Sequence, residues 1–148
     1  MEGCPPIPVV LSAGQHKVPQ CAHPGDAGVD LCATCDMELK PFERGLIPTG
    51  ISLAIPKGYA GFVLPRSGLA IRQGLSLVNS PGLIDSNYRG EVQVIAINLD
   101  PEHGIKVHKG DRIAQLVVMR VEEAAFHVCD RLEETTRGTD GFGSSGVI

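Results

Sequence analysis

Residues 79–92 read Asn-Ser-Pro-Gly-Leu-Ile-Asp-Ser-Asn-Tyr-Arg-Gly-Glu-Val. Gly82 and Gly90 bracket a turn-rich stretch whose short apolar arm, Leu83-Ile84, precedes Asp85 and Tyr88, which is the pattern of a β-hairpin. The backbone of such a hairpin can offer N–H and C=O groups to a planar polar ligand, while an aromatic ring at its base packs against whatever is attached. A carboxylate at Asp85 then stands where it can orient a water.

A second group with chemical potential is Pro65-Arg66-Ser67-Gly68. Ser67 is placed to cap a short helix over residues 68–73, and Gly74 is placed to end it. A helix start beside a guanidinium and a hydroxyl suits an anionic phosphate. A plain capped helix with a surface arginine is the competing account, and composition alone favours it. The last residues form a third group: Arg137, one aromatic at Phe142 and a run of glycines and serines. That stretch has too little apolar surface to fold by itself, so it is either a flexible tail or a lid whose N–H groups converge on phosphates. Its match to G-x-G-x-x-G is accidental, because no strand closely precedes it and no helix can follow.

Segment by segment, the chain resembles the trimeric dUTPases, the deoxyuridine triphosphate nucleotidohydrolases. The resemblance rests on Ala27-Gly28-Val29-Asp30-Leu31, Pro65-Arg66-Ser67-Gly68, the stretch from Gly82 to Gly90, Gly110-Asp111-Arg112-Ile113-Ala114-Gln115, and Arg137-Gly138-Thr139-Asp140-Gly141-Phe142-Gly143-Ser144-Ser145-Gly146, in the family's order over nearly the whole chain. It implies hydrolysis of dUTP to dUMP and pyrophosphate, limiting uracil in DNA and supplying dUMP for thymidylate synthesis. Asp85 is then the catalytic residue that activates a water for attack on the α-phosphate. Asp30 holds, through water, a Mg²⁺ that rides with the triphosphate. Arg66, Ser67, Gly68, Gln115 and Arg137 clamp the phosphates, and Phe142, Gly143 and Ser144 close over the nucleotide, with Phe142 stacked on uracil. Asn79 and the backbone of Gly82, Leu83, Ile84 and Asp85 read the uracil edge. Tyr88 lies under the sugar and leaves no room for a ribose 2′-hydroxyl, and Gln93 lies near that pocket by alignment. Asp140 and Ser145 depart from the family, where Gly and Thr are common. A dCTP deaminase shares this fold, and a binding module without turnover is the rival from another class. The glycine-rich end and the spacing of Asp85 to Tyr88 speak against the first, and the presence of every expected catalytic residue speaks against the second.

The elements that must position these groups are mostly strands. In 148 residues there is room for one ordinary domain with its own core, and 18 Gly and 11 Pro make it turn-rich. A formal net charge of −4 argues against a nucleic-acid or membrane-surface binder, since both need a basic face. Five cysteines and no apolar leader after a basic start suggest neither secretion nor a disulfide framework, so the expected setting is reduced and cytoplasmic. Cys32 and Cys35 invite a redox or zinc role, but they follow a strand-like run and no second pair completes a metal set.

Prolines around Val9-Val10-Leu11 suit an edge strand or a crossing chain. Residues 46–64 alternate apolar runs with turn residues as strand, turn and strand. The best strands are 91–99 and 112–120, apolar on two faces for much of their length and so expected to be buried on both sides, between sheets or subunits. Gln115 interrupts the second on the face of Ile113 and Val117, and a buried amide needs partners. Residues 105–107 form a short strand between turns, and residues 126–128 are expected to complete the core. The expected fold is an all-β, jelly-roll-like barrel with one short helix, comprising a domain over 1–136 and a flexible arm over 137–148. The resemblance adds a homotrimer with sites built from three subunits.

Overall fold

The computed structural model describes residues 4–12 and 17–139. It is all-β with one short helix. The strands are β1 (Val9–Leu11), β2 (Val29–Cys32), β3 (Met37–Leu39), β4 (Arg44–Leu53), β5 (Tyr59–Leu64), β6 (Leu75–Leu77), β7 (Gly82–Ile84), β8 (Glu91–Asn98), β9 (Ile105–Val107) and β10 (Arg112–Arg120), and the helix is α1 (Ser67–Gln73). Two four-stranded antiparallel sheets carry the strands in the orders β1-β4-β8-β6 and β2-β10-β5-β7, with β3 and β9 as a separate pair. The long-range returns between sheets are those of a jelly roll. β1, rich in flanking proline, lies at the edge of its sheet as expected.

The core sits between the sheets. β4 and β8 give it Ile47, Ile51, Val92, Val94 and Ala96, and β2 and β10 give Leu31, Ile113, Ala114 and Leu116, all buried. On β8 burial alternates strictly enough that Gln93 and Ile95 stay exposed, so within one chain this strand buries one face and not two. Leu46 and Ile95 are register partners on that outer face, and Val78 donates its N–H to the Ile95 carbonyl at 2.9 Å, which brings three exposed apolar residues together. A buried polar post closes one end of the core. The Asn98 amide, fully buried, donates to the carbonyls of Leu39 at 3.1 Å and His103 at 2.8 Å, and its oxygen accepts from the Asp100 N–H at 2.8 Å.

Three expectations are corrected. Residues 79–92 do not form a hairpin: β7 pairs with β5 in one sheet while β8 pairs with β4 and β6 in the other, so the segment crosses between sheets. Ser67 lies inside α1, whose N-cap is Arg66 in extended conformation with no side-chain cap; Gly74, at φ 70°, does end the helix. The core ends with β10, because residues 121–135 carry no strand or helix and Phe126, Val128 and Leu132 are 85% exposed or more. Among the described residues no helix is long and apolar enough to cross a membrane.

Candidate functional site

β10 is the spine of the site. It pairs with β2 on one side and β5 on the other, and Gln115 stands opposite Asp30 on β2 and Leu64 on β5. That single rung therefore carries the carboxylate, the amide and, two residues past Leu64, the guanidinium of Arg66. The half-buried Gln115 amide donates to the Pro65 carbonyl at 3.0 Å. This is the backbone hydrogen bond expected of a partly buried amide, and it fixes the turn that leads into α1. One of its N–H groups is used there, and Oε1 stands 3.1 Å from where a Cβ on Gly28 would lie, so the bare Gly28 gives the amide its space.

Asp30 sits between two cations. Its Oδ1 accepts from Arg66 Nε at 2.9 Å and its Oδ2 from Arg112 Nη1 at 3.2 Å, while Arg66 Nη1 donates to the Arg112 carbonyl at 3.1 Å. Asp30 and Arg66 are about three-quarters buried and Arg112 is exposed. On the helix, Arg72 folds back toward Gly68, where an added Cβ would lie 3.0 Å from its Nη2. These groups line a cleft of about 600 Å³ with Ser67, Gly68, His23 and Asp26. Its chemistry is a set of three guanidiniums, one hydroxyl, one amide and helix-start N–H groups against two carboxylates, Asp30 paired with Arg66 and Arg112 and Asp26 at the margin, an arrangement suited to a polyanion. Arg72 and Arg112 were missed as candidates. Arg72 could have been found from its i+4 spacing to Gly68, and Arg112 from its place three residues before Gln115, on the same stretch.

Burial and the Asp30 charge push the nearby Cys32 thiol up, against the opposing pull of Arg112, Lys17 and Arg66. Cys32 and Cys35 are both free, and among the described residues no group of three or more His, Cys, Asp or Glu side chains is arranged to hold a metal ion. A divalent ion here would need most of its ligands from the bound molecule, with Asp30 as the more enclosed of the two cleft carboxylates, the other being Asp26. The residues fit that arrangement and no closed protein site.

The remaining candidates lie elsewhere on the chain. Asp85 lines a different cavity, of about 1050 Å³, with Lys57, Tyr59, Ser86, Asn87, Arg89, Glu122 and Glu123. β2 and β7 are opposite edges of one sheet with β10 and β5 between them, so three strand spacings, on the order of 14 Å, separate Asp30 from the strand that leads to Asp85. Asn79 is exposed beside Gly82, Leu83 is 59% exposed at the sheet edge, and Ile84 is half-buried against the core. Arg89 Nη1 closes the turn by donating to the carbonyls of Ser86 and Tyr88, both at 2.7 Å. Gln93 is exposed on β8, opposite Pro48. Arg137 lies in the exposed stretch beyond β10. Phe142, Gly143 and Ser144, with Asp140, fall outside the described residues.

Comparison with known proteins gives concordant findings. The family model described as dUTPase matches residues 15–146. A deoxyuridine 5'-triphosphate nucleotidohydrolase of Rhodococcus erythropolis is 58% identical over 129 residues, covering 87% of this chain and 79% of the relative. One from Nocardia farcinica is 53% identical over 146 residues, covering 99% and 88%. Among solved structures, the G164S mutant of the dUTPase of Staphylococcus bacteriophage 80alpha, with dUpNHpp, superposes with a TM-score of 0.88 at 28% identity over 96% of this chain and 99% of the other.

Proposed function

The chain belongs to the dUTPase family, and from that premise we propose how its residues divide the work of hydrolysing dUTP to dUMP and pyrophosphate. The observation that carries the assignment is the cleft in which Arg66, Arg112, Ser67, Gly68 and Gln115 surround the arginine-paired carboxylate of Asp30. The arginines, hydroxyl, amide and helix-start N–H groups bind and align the triphosphate, which supplies most of the rate in this kind of phosphoryl chemistry. Asp30 is released from its arginines as the phosphates arrive. Asp30 would hold, through water, a Mg²⁺ carried by the triphosphate, and the ion would supply charge neutralisation for the leaving pyrophosphate. Asp85 accepts the proton of the attacking water at the α-phosphorus. Asn79 and the backbone of Gly82, Leu83, Ile84 and Asp85 recognise the uracil edge, with Gln93 at its margin. A cytosine would reverse donor and acceptor at the 4-position and leave buried groups unpaired. Tyr88 is the wall against a ribose 2′-hydroxyl.

The active form in this reading is a cytoplasmic homotrimer with composite sites. The cleft of Asp30, Arg66 and Gln115 comes from one subunit, the segment with Asp85 and Tyr88 from a second, and the arm over 137–148, with Arg137, Phe142, Gly143 and Ser144, from a third. Two features support it: Asp85 does not line the phosphate cleft of its own chain, and the outer face with Leu46, Val78 and Ile95 is apolar and exposed. The domain runs through 136 and the arm begins at residue 137; the exposed apolar residues of 121–136, past the last strand, pack on a neighbouring subunit.

Pyrophosphate release from dUTP, dCTP, dTTP and UTP, with and without Mg²⁺, tests the assignment, and turnover of dCTP at the rate of dUTP would refute it. Mixed trimers of an Asp85→Asn subunit and a subunit truncated before Arg137 test the composite site. The two lesions fall in different contributions, so some sites regain activity. Mixed trimers that form without any active site would sink the division of labour.

A further inference from the structure

The proposed function makes the Tyr88 ring a wall, and a wall discriminates only if it cannot give way. The ring is 44% exposed, so burial does not hold it. Two local features do. The phenol hydroxyl donates to the Glu91 carbonyl at 3.0 Å. On the other side the ring lies directly over Gly90: a Cβ added there would overlap the hydroxyl oxygen, and would lie 2.6 Å from Cζ and 3.1 Å from Cε2. Gly90 is not among the glycines with positive φ, so nothing in its backbone demands glycine. The space taken by the ring does.

The seat itself is fixed to the core. Glu91 Oε1 accepts the Gly50 N–H at 2.6 Å, the next residue Val92 is buried, and its carbonyl accepts from the buried Thr49 hydroxyl. The Arg89 guanidinium, bonded to the carbonyls of Ser86 and Tyr88, closes the turn from the opposite side. The ring is therefore clamped between a bare Cα and a carbonyl that cannot move without disturbing β4 and β8.

We propose that Gly90 is a positioning residue for sugar discrimination: together with the Glu91 carbonyl it seats the Tyr88 ring at the one height that admits a 2′-deoxyribose and rejects a ribose. The inference rests on Tyr88 being the sugar wall. A methyl group on Gly90 lifts or tilts the ring, and loss of the hydroxyl frees it to swing about its side-chain torsions. Either change opens room for a 2′-hydroxyl without removing the aromatic face.

The test is kcat/KM for dUTP and for UTP, measured by pyrophosphate release on Tyr88→Ala, Tyr88→Phe, Gly90→Ala and the Gly90→Ala, Tyr88→Ala double variant, each checked for folding by thermal melting. Tyr88→Phe relaxes the dUTP-to-UTP preference by about fivefold, the ordering supplied by one hydrogen bond. Gly90→Ala relaxes it on the order of tenfold, as expected when a well-packed contact is forced apart. In the Tyr88→Ala background, Gly90→Ala changes nothing further, because it acts only through the ring. A merely structural role for Gly90 lowers activity on both substrates alike and leaves the preference unmoved, which overturns the inference. So does an effect of Gly90→Ala that persists without the ring. If Gly90→Ala does not fold, Tyr88→Phe decides alone, and an unchanged preference there refutes the seat. If Tyr88→Ala itself leaves the preference intact, Tyr88 is not the wall and the underlying reading falls instead.

Discussion

Asp30 pairs with two of the three arginines that line the cleft, Arg66 and Arg112, so in the proposed function it competes with the triphosphate for them. Replacing it by Asn keeps an acceptor of the same shape and removes the charge. The two ion pairs, at 2.9 and 3.2 Å, involve side chains that are between a quarter and just over half exposed. Discounted for solvent screening, each contributes about 0.5–1 kcal/mol, so an incoming phosphate must outbid roughly 1–2 kcal/mol. Asp30→Asn then tightens binding of a metal-free triphosphate by about 5- to 30-fold. With Mg²⁺ present the gain is lost if Asp30 has its proposed role of steadying the ion's water, and kcat falls. Calorimetric titration of a non-hydrolysable dUTP analogue in EDTA and in Mg²⁺ reads both effects on one protein. If Asp30→Asn binds the metal-free analogue no more tightly than the parent, the competition described here does not exist, whatever happens to turnover.

Further outcomes follow from other parts of the molecule. Asn98→Ala removes three hydrogen bonds and strands two carbonyls in a fully buried site, costing about 3 kcal/mol in urea unfolding while leaving KM for dUTP unchanged; a loss under 1 kcal/mol, on the scale of about one hydrogen bond, would contradict it. Ile95→Asp, on the outer face of β8, shifts the proposed trimer toward monomers in sedimentation and abolishes activity; an active trimer would show that this face is not an interface. The Asp100 carboxyl accepts the N–H groups of Glu102 and His103, which hold it below the ordinary carboxylate range. Its folded pKa is depressed, so its contribution is present above the unfolded value and lost as pH falls through the folded one. The melting temperatures of the parent and Asp100→Asn should therefore differ at neutral pH and converge in acid. Exposed Cys4 and Cys21 react with iodoacetamide before Cys32, whose thiol is pushed up by burial and by Asp30, and mass spectrometry of the labelled peptides tests the order.

The sequence made the long strands legible because their signal is local. The long strands β8 and β10 fall wholly within the expected 91–99 and 112–120, and even the short β9 matches 105–107. What it could not show is which strand each run pairs with. Gly82 and Glu91 flank a turn-like stretch, yet they pair into different sheets, since pairing is decided by partners far along the chain. The helix starts one residue earlier than expected, with extended Arg66 as its N-cap and no side-chain cap bond, so Ser67 sits in the first turn instead of capping it. Phe126 and Val128 look like core from composition, but among the described residues they join no sheet and stay exposed. At the cleft, Arg66, Ser67, Gly68, Asp30 and Gln115 were found from their motifs. Arg112 stood within one of those motifs and was overlooked, because a charged residue at a strand start carries no signal until its carboxylate partner is known.

The rung on which Gln115 faces Asp30 and Leu64 also acts as a ruler. The spacing of carboxylate, amide and guanidinium across the cleft is set by backbone hydrogen bonds between β2, β10 and β5, whose repeat is the same in every sheet. Side-chain volume beneath the rung therefore trades against stability with little effect on the site, and Leu31, Ala114 and Leu116 are free to drift as a set so long as their total size is kept. Length is not free. A single residue inserted into β2 between Val29 and Asp30 would turn the carboxylate from the cleft to the opposite face, and with it every side chain of the strand beyond the insertion. The lineage can thus rewrite the interior of this barrel many times over, but it cannot add one residue there without giving up the phosphate clamp.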